Sequence, residues 1–228
     1  MSAPDDPLRR VETWVFDLDN TLYSARHSLF DQVDRRITEY VSGFLGMAPE
    51  AARDLQKRYF LEHGTTLNGL VSLHACDPAR YLAYVHDIDY GLIPADPALD
   101  EALGRLPGRK IVFTNGDVPH AERAMARLGI AHHFEAVFDI VESDYVPKPT
   151  PSVYDRLLQR HAIDGPRAAM FEDIARNLKP AKDRGMTTVW IEGPSRYAAA
   201  GADDGHIDHR TEDLTPWLVD LVGRLAPG

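Results

Sequence analysis

The sequence has a single cysteine, Cys76, so no intrachain disulfide can form, and the count suits a reducing compartment. Basic residues are scarce: 25 Lys and Arg against 35 Asp and Glu leave a net charge of −10. A surface that neutralises nucleic-acid phosphates needs the opposite balance, so no nucleic-acid partner is expected. Long apolar runs are missing too. None approaches the roughly 20 residues that cross a bilayer, and no membrane partner is expected. The polar stretch from Met1 to Arg10 lacks the apolar core of a secretory signal, so the expected location is the cytoplasm. Repeats and low-complexity tracts are absent as well. What remains is a globular composition, 44% hydrophobic and 26% charged over 228 residues, enough for one large domain or a domain with an insert. Nothing in it speaks to oligomeric state.

Four short apolar runs, Thr13 to Phe16, Lys110 to Thr114, Ala168 to Phe171 and Thr187 to Ile191, read as parallel strands buried on both faces. A weaker fifth runs through Ala136 to Asp139. Helical patterns lie between them, such as Thr150 as N-cap before Pro151 with Val153, Leu157 and Leu158 on one face. The alternation predicts a doubly wound α/β parallel sheet, which binds ligands at the carboxyl ends of its strands. From about Ser24 to Leu106 the alternation breaks. Leu29, Phe30, Val33, Ile37, Tyr40, Val41 and Phe44 recur with helical period, and Asp77-Pro78 and Asp96-Pro97 mark two more helix starts. A helical insert between the first and second strands is the expectation. Ser195 to Gly205 reads as a mobile loop, followed by an amphipathic helix over Leu214 to Leu225.

Four elements at strand ends carry chemistry. Asp17 and Asp19, two residues apart on a leaving strand, can face one site. Thr114-Asn115-Gly116 offers a hydroxyl, an amide and a flexible backbone to an anion. Lys148 sits between Pro147 and Pro149, which stiffen the chain around its ammonium. Glu172 and Asp173 supply adjacent carboxylates of the kind that hold magnesium through one or two oxygens plus waters. Asn177 comes next as a candidate N-cap for a helix with Pro180 in its first turn. Each element alone has a plainer reading: a turn or cap cluster, a glycine at positive φ, a solvated lysine, a capped helix with exposed acids. All four plain readings holding at once, in one order along the chain, would be an improbable coincidence.

In order and residue type, Asp17-Leu18-Asp19-Asn20-Thr21, Thr114-Asn115-Gly116, Lys148 and Glu172-Asp173 resemble the four motifs of the haloacid dehalogenase superfamily. The resemblance implies a Rossmann-like core over residues 1–23 and 96–228 with a helical cap over 24–95. It implies a Mg²⁺-dependent phosphatase acting on a small phosphorylated metabolite. Asp17 would be nucleophile and metal ligand, and Asp19 acid then base, with its backbone carbonyl on the metal. Thr114, Asn115 and Lys148 would bind phosphate; Asp173 would ligate directly and Glu172 through water. Dehalogenase members lack an aspartate at the place of Asp19, so its presence favours phosphoryl transfer.

Leu22-Tyr23, Gly64 to Leu70, Tyr81 to Asp87, and Asp117 followed by His120 are similar to the pyrimidine 5′-nucleotidase branch, although Glu172-Asp173-Ile174 departs from that branch's usual two aspartates and serine. That likeness implies UMP or CMP as substrate, with a small closed cap admitting a one-ring base more readily than a two-ring one. A phosphatase of a sugar phosphate, a phosphomutase and a non-catalytic binding module stay open. The histidines at 63, 74, 86, 132 and 133 do not assemble a zinc motif without paired cysteines. His86 is expected as a polar pair with Asp87, and Tyr59, Tyr81 and Tyr84 as cap core.

Overall fold

The computed structural model describes residues 7–195 and 197–226. The first six residues of the polar Met1 to Arg10 stretch therefore lie outside the described residues. Six parallel strands form one sheet: β1 (Thr13–Phe16), β2 (Arg109–Phe113), β3 (Ala136–Phe138), β4 (Ala168–Glu172), β5 (Thr187–Ile191) and β6 (His209–Thr211), in the order β3-β2-β1-β4-β5-β6. β1 is central, with Phe16 in register with Val112 of β2 and Phe171 of β4. Side chains alternate across a strand, so Trp14 and Phe16 enter one apolar layer and Val15 the other. Because both layers are covered, the strand interiors of β1, β2, β4 and β5 are buried and mostly apolar, whereas the edge strand β6 is not.

The first layer is closed by α5 (Pro97–Arg105), α6 (Val118–Leu128) and α9 (Leu214–Leu225), the second by α7 (Pro151–Arg160) and α8 (Ala175–Lys182). Within the first, Phe16 stacks on Phe171 with ring centroids 4.6 Å apart, and Trp14 Nε1 donates to the Pro107 carbonyl at 2.6 Å. The insert consists of α1 (Leu29–Leu45), α2 (Pro49–His63), α3 (Thr66–His74) and α4 (Pro78–Val85). It has its own apolar cluster, built on Val41, Tyr59, Leu70, Tyr81 and Val85. A Cβ on Gly69 would lie 2.5 Å from the Tyr59 ring, so the bare backbone there is what lets α3 close on α2. Pro-led first turns capped by Asp77 and Asp96 start α4 and α5 as the sequence predicts.

Several expectations change. Ile174, not Asn177, is the N-cap of α8; Asn177 is buried within the helix, and Pro180 lies in its interior. Of the stretch expected as a mobile loop, residues 197–205 form turns, with Ala198 and Ala202 buried and the Ala175 N–H donating to the Ala198 carbonyl at 2.8 Å. Tyr59 and Tyr81 are cap core as expected, whereas Tyr84 lies at the surface with the Arg36 guanidinium over its ring. β6 has no counterpart among the predicted strands.

Candidate active site

The sheet order reverses at β1: the chain lays β2 and β3 outward on one side of it, then crosses back to lay β4, β5 and β6 on the other. A crevice opens at such a point. Asp17 follows β1, Thr114 follows β2, and Glu172 and Asp173 end β4, so all four reach the same crevice. Carboxylate oxygens of Asp17, Glu172 and Asp173 lie within 4.8 Å of one another, all three side chains buried. Lys148 reaches in from the loop before α7 and is 1% exposed. Its Nζ donates to Asp17 Oδ1 at 2.7 Å, Glu172 Oε2 at 2.7 Å and the Phe113 carbonyl at 2.8 Å, which uses all three of its protons.

One ammonium faces three buried carboxylates. Burial, and then the Glu172 charge, push the Asp17 pKa from 3.8 to about 7, although Lys148 pulls the other way. Asp173 is pushed well above its ordinary value by burial and by the charges of Glu172 and Asp17. Burial disfavours the Lys148 ammonium, yet the same two acids hold its pKa above normal. The cluster is therefore short of positive charge, and a hard divalent cation with oxygen preference fits the donor set. Asp173 is the acid best disposed for direct ligation, since beyond its contact with Glu172 its carboxylate accepts only a long hydrogen bond among the described residues, from Asn20 Nδ2 at 3.4 Å. Glu172 is tied at both oxygens, to Lys148 and to the Ile174 N–H at 3.2 Å.

Asp19 stands somewhat apart. Its Oδ1 accepts from His120 Nε2 at 2.8 Å and from the Tyr23 hydroxyl. Burial alone would raise its pKa, but His120 and Tyr23 outweigh burial and hold it below the usual range. Thr114 is buried, its Oγ1 accepting from the Gly116 N–H at 2.9 Å. The Asn115 side chain braces the lysine loop: its Oδ1 accepts from the Lys148 N–H at 2.9 Å and its Nδ2 donates to the Lys148 carbonyl at 3.5 Å. Among the described residues the backbone N–H groups of Leu18, Asp19 and Asn115 meet no protein acceptor and remain available to an anion.

The insert roofs this crevice. Gly64, at φ +81°, comes so close to the lysine loop that a Cβ would sit 3.0 Å from Pro147 Cγ and 3.1 Å from the Lys148 carbonyl. Arg176 Nη2 donates to the Phe60 carbonyl at 2.8 Å from the core side. Between roof and sheet ends lies a cleft of about 1230 Å³, lined by Asp17, Asp19, Lys148 and Asp173 below and by Gln56 and Phe60 above. The space over the carboxylates is continuous with the rest of this cleft, which also runs past Asp96 and Leu214. His86 does not pair with Asp87; its Nδ1 meets Asp117 Oδ1 at 2.9 Å, and its ring stacks on His120 at 4.2 Å.

The model of the haloacid dehalogenase-like hydrolases matches residues 11–185, and the chain belongs to that family. It is 27% identical to phosphate metabolism protein 8 of Saccharomyces cerevisiae, over 96% of this chain and 73% of that one. A shorter match, 33% identical over 38% of this chain and 44% of the other, is to fructose-1-phosphate phosphatase YqaB of Escherichia coli. In fold it is similar to L-2-haloacid dehalogenase of Xanthobacter autotrophicus, with TM-score 0.59 and 18% identity over 95% of this chain and all of the other. The fold is therefore common to members with different chemistry, and residues at the site have to separate them.

Proposed function

We propose that the protein is a Mg²⁺-dependent phosphomonoester hydrolase, with residues 24–95 as cap and residues 1–23 and 96–228 as core. The observation that carries this reading is the convergence of Asp17, Glu172, Asp173 and Lys148 at adjacent strand ends. Asp17, Asp173 and the Asp19 carbonyl would hold the cation directly, and Glu172 through water. Bound there, magnesium would neutralise the carboxylates and polarise the phosphoryl oxygens. Relieved of its neighbours' repulsion, Asp17 is ionised at neutral pH and attacks phosphorus. The phosphorus–oxygen bond to the leaving group breaks as Asp19 delivers its proton to that oxygen. An incoming phosphate dianion raises the Asp19 pKa by charge repulsion, which offsets the lowering by His120 and Tyr23. Asp19, now a carboxylate, takes a proton from water, whose oxygen attacks the aspartyl-phosphate and releases phosphate from Asp17. The Thr114 hydroxyl and the Asn115 backbone N–H would hold the transferring group, with Lys148 exchanging its bond to Asp17 for one to a phosphoryl oxygen.

For the substrate we propose a pyrimidine 5′-nucleotide, UMP or CMP, on the likeness of Tyr23, Gly64 to Leu70 and Tyr81 to Asp87 to that nucleotidase branch. A cleft of about 1230 Å³ gives no steric reason to reject a two-ring base, so the choice rests on polar groups of the roof. A sugar phosphate is the second reading, favoured by the partial similarity to a fructose-1-phosphate phosphatase. Phosphate release from UMP, CMP, AMP, GMP and fructose 1-phosphate, with and without Mg²⁺, tests both. A tenfold preference for the sugar phosphate would remove the nucleotidase reading, and silence on every substrate would remove the hydrolase. Asp17→Asn should fold and lose turnover; wild-type rates in that variant would end the covalent mechanism.

A further inference from the structure

Outside the carboxylate cluster, the most elaborate buried polar assembly lies behind Asp19. His120, fully buried on the first turn of α6, uses both ring nitrogens: Nε2 meets Asp19 Oδ1 at 2.8 Å and Nδ1 meets the Tyr90 hydroxyl at 2.8 Å. The ring lies flat on His86, 9° from parallel. His86 is itself held by Asp117, whose same oxygen caps α6 by accepting the His120 N–H at 3.1 Å. Gly116 makes room for this. A Cβ there would stand 3.1 Å from His120 Cδ2 and 3.3 Å from Thr114 Oγ1. The glycine serves close approach, since its φ is not positive.

We propose that His120, clamped by Tyr90 and the His86–Asp117 pair, is a positioning residue that aims Asp19 at the leaving-group oxygen. A carboxylate can only accept, so Nε2 carries the hydrogen in this bond. With Tyr23 as second donor, Oδ1 is engaged twice, and Oδ2 has no hydrogen-bond partner among the described residues. Oδ2 is thereby the oxygen that gives its proton to the leaving group and later takes one from water. A carboxylate fixed at one oxygen cannot swing away from the substrate, and misplacement by about 1 Å can cost about 10²-fold in rate. His86 caps α4, the last helix of the insert, so the clamp also ties the roof to the proton-transfer group.

The inference rests on the hydrolase reading, and leaving-group chemistry separates the two. An alkyl phosphate needs protonation of its departing oxygen, whereas p-nitrophenolate departs without it. For a two-step enzyme kcat/KM reports the steps through breakage of the substrate's phosphorus–oxygen bond, and kcat also includes hydrolysis of the aspartyl-phosphate. His120→Ala should lower kcat/KM for UMP or fructose 1-phosphate, whichever the wild type turns over, by roughly 10- to 100-fold. It should lower kcat/KM for p-nitrophenyl phosphate by less than about threefold, while kcat falls on both as water activation suffers. His120→Gln, which keeps an amide donor near the Nε2 position, should recover most of the loss. Tyr90→Phe removes only the brace and should give a smaller loss with the same leaving-group dependence, so the inference remains testable if the alanine variant does not fold. Equal losses of kcat/KM on both substrate types, no loss, or no recovery with glutamine would overturn the positioning role and leave the hydrolase standing. A wild type inactive on every phosphomonoester would overturn both.

Discussion

Asp17→Asn should stabilise the protein when no divalent cation is present, and the size of the effect is set by the charge balance of the cluster. The Asp17 carboxyl titrates near 7 in the folded chain and near 3.8 unfolded. The folded state therefore binds the extra proton, and stability falls as pH rises from about 4 to about 7, with the whole penalty present above that window. At ~1.36 kcal/mol per pH unit the separation corresponds to about 4 kcal/mol. Asparagine removes the charge and keeps an oxygen for Lys148, which also retains Glu172 and the Phe113 carbonyl. Its amide hydrogens must find acceptors in a buried place, at a cost of about 1–3 kcal/mol. A net gain of about 1–3 kcal/mol remains, which for a chain of this length raises Tm by roughly 2–12 °C.

Circular-dichroism melts in EDTA at about pH 8 and about pH 5 are the assay. The gain should be largest at the higher pH and shrink by more than half at the lower, where the wild-type carboxyl is protonated in the folded state. In excess MgCl₂ the difference should close or reverse, because the wild type gains a ligand and the variant has lost one. A variant that melts below the wild type in EDTA at pH 8, or a gain equal at both pH values, would show that the cluster is not short of positive charge.

Asp173→Ala should weaken Mg²⁺ binding more than Glu172→Ala does, because both Glu172 oxygens are already engaged; magnesium titration of both variants checks the order. Gly116→Ala should push the His120 ring off Asp19, lowering Tm by a few degrees through overpacking of about 1–3 kcal/mol and cutting kcat/KM for alkyl phosphates more than for p-nitrophenyl phosphate.

The residues proposed to meet substrate were legible because chemistry restricts their types and the fold restricts their place. A parallel strand covered on both faces reads as an unbroken apolar run, and the residues directly after the run lie at the sheet's binding edge. Asp17, Thr114, Glu172 and Asp173 all fall there by that rule alone. β6 escaped it because an edge strand of three residues, His209–Thr211, none of them buried, carries no such run. α8 misled for a related reason: Asn177 has the right side chain for a cap, but the turn after β4 leaves that place to Ile174, which makes no side-chain cap at all. His86 shows the deeper limit. Its neighbour Asp87 is the obvious partner in sequence, yet Asp87 pairs with Arg36 at 3.1 Å, and His86 turns inward to an aspartate 31 residues away. Groups that touch substrate are constrained by what they must do. Groups that hold them are constrained only by where the fold brings them, so His120 and Tyr90 become visible as a clamp on Asp19 only when α6 and the end of the insert are packed together.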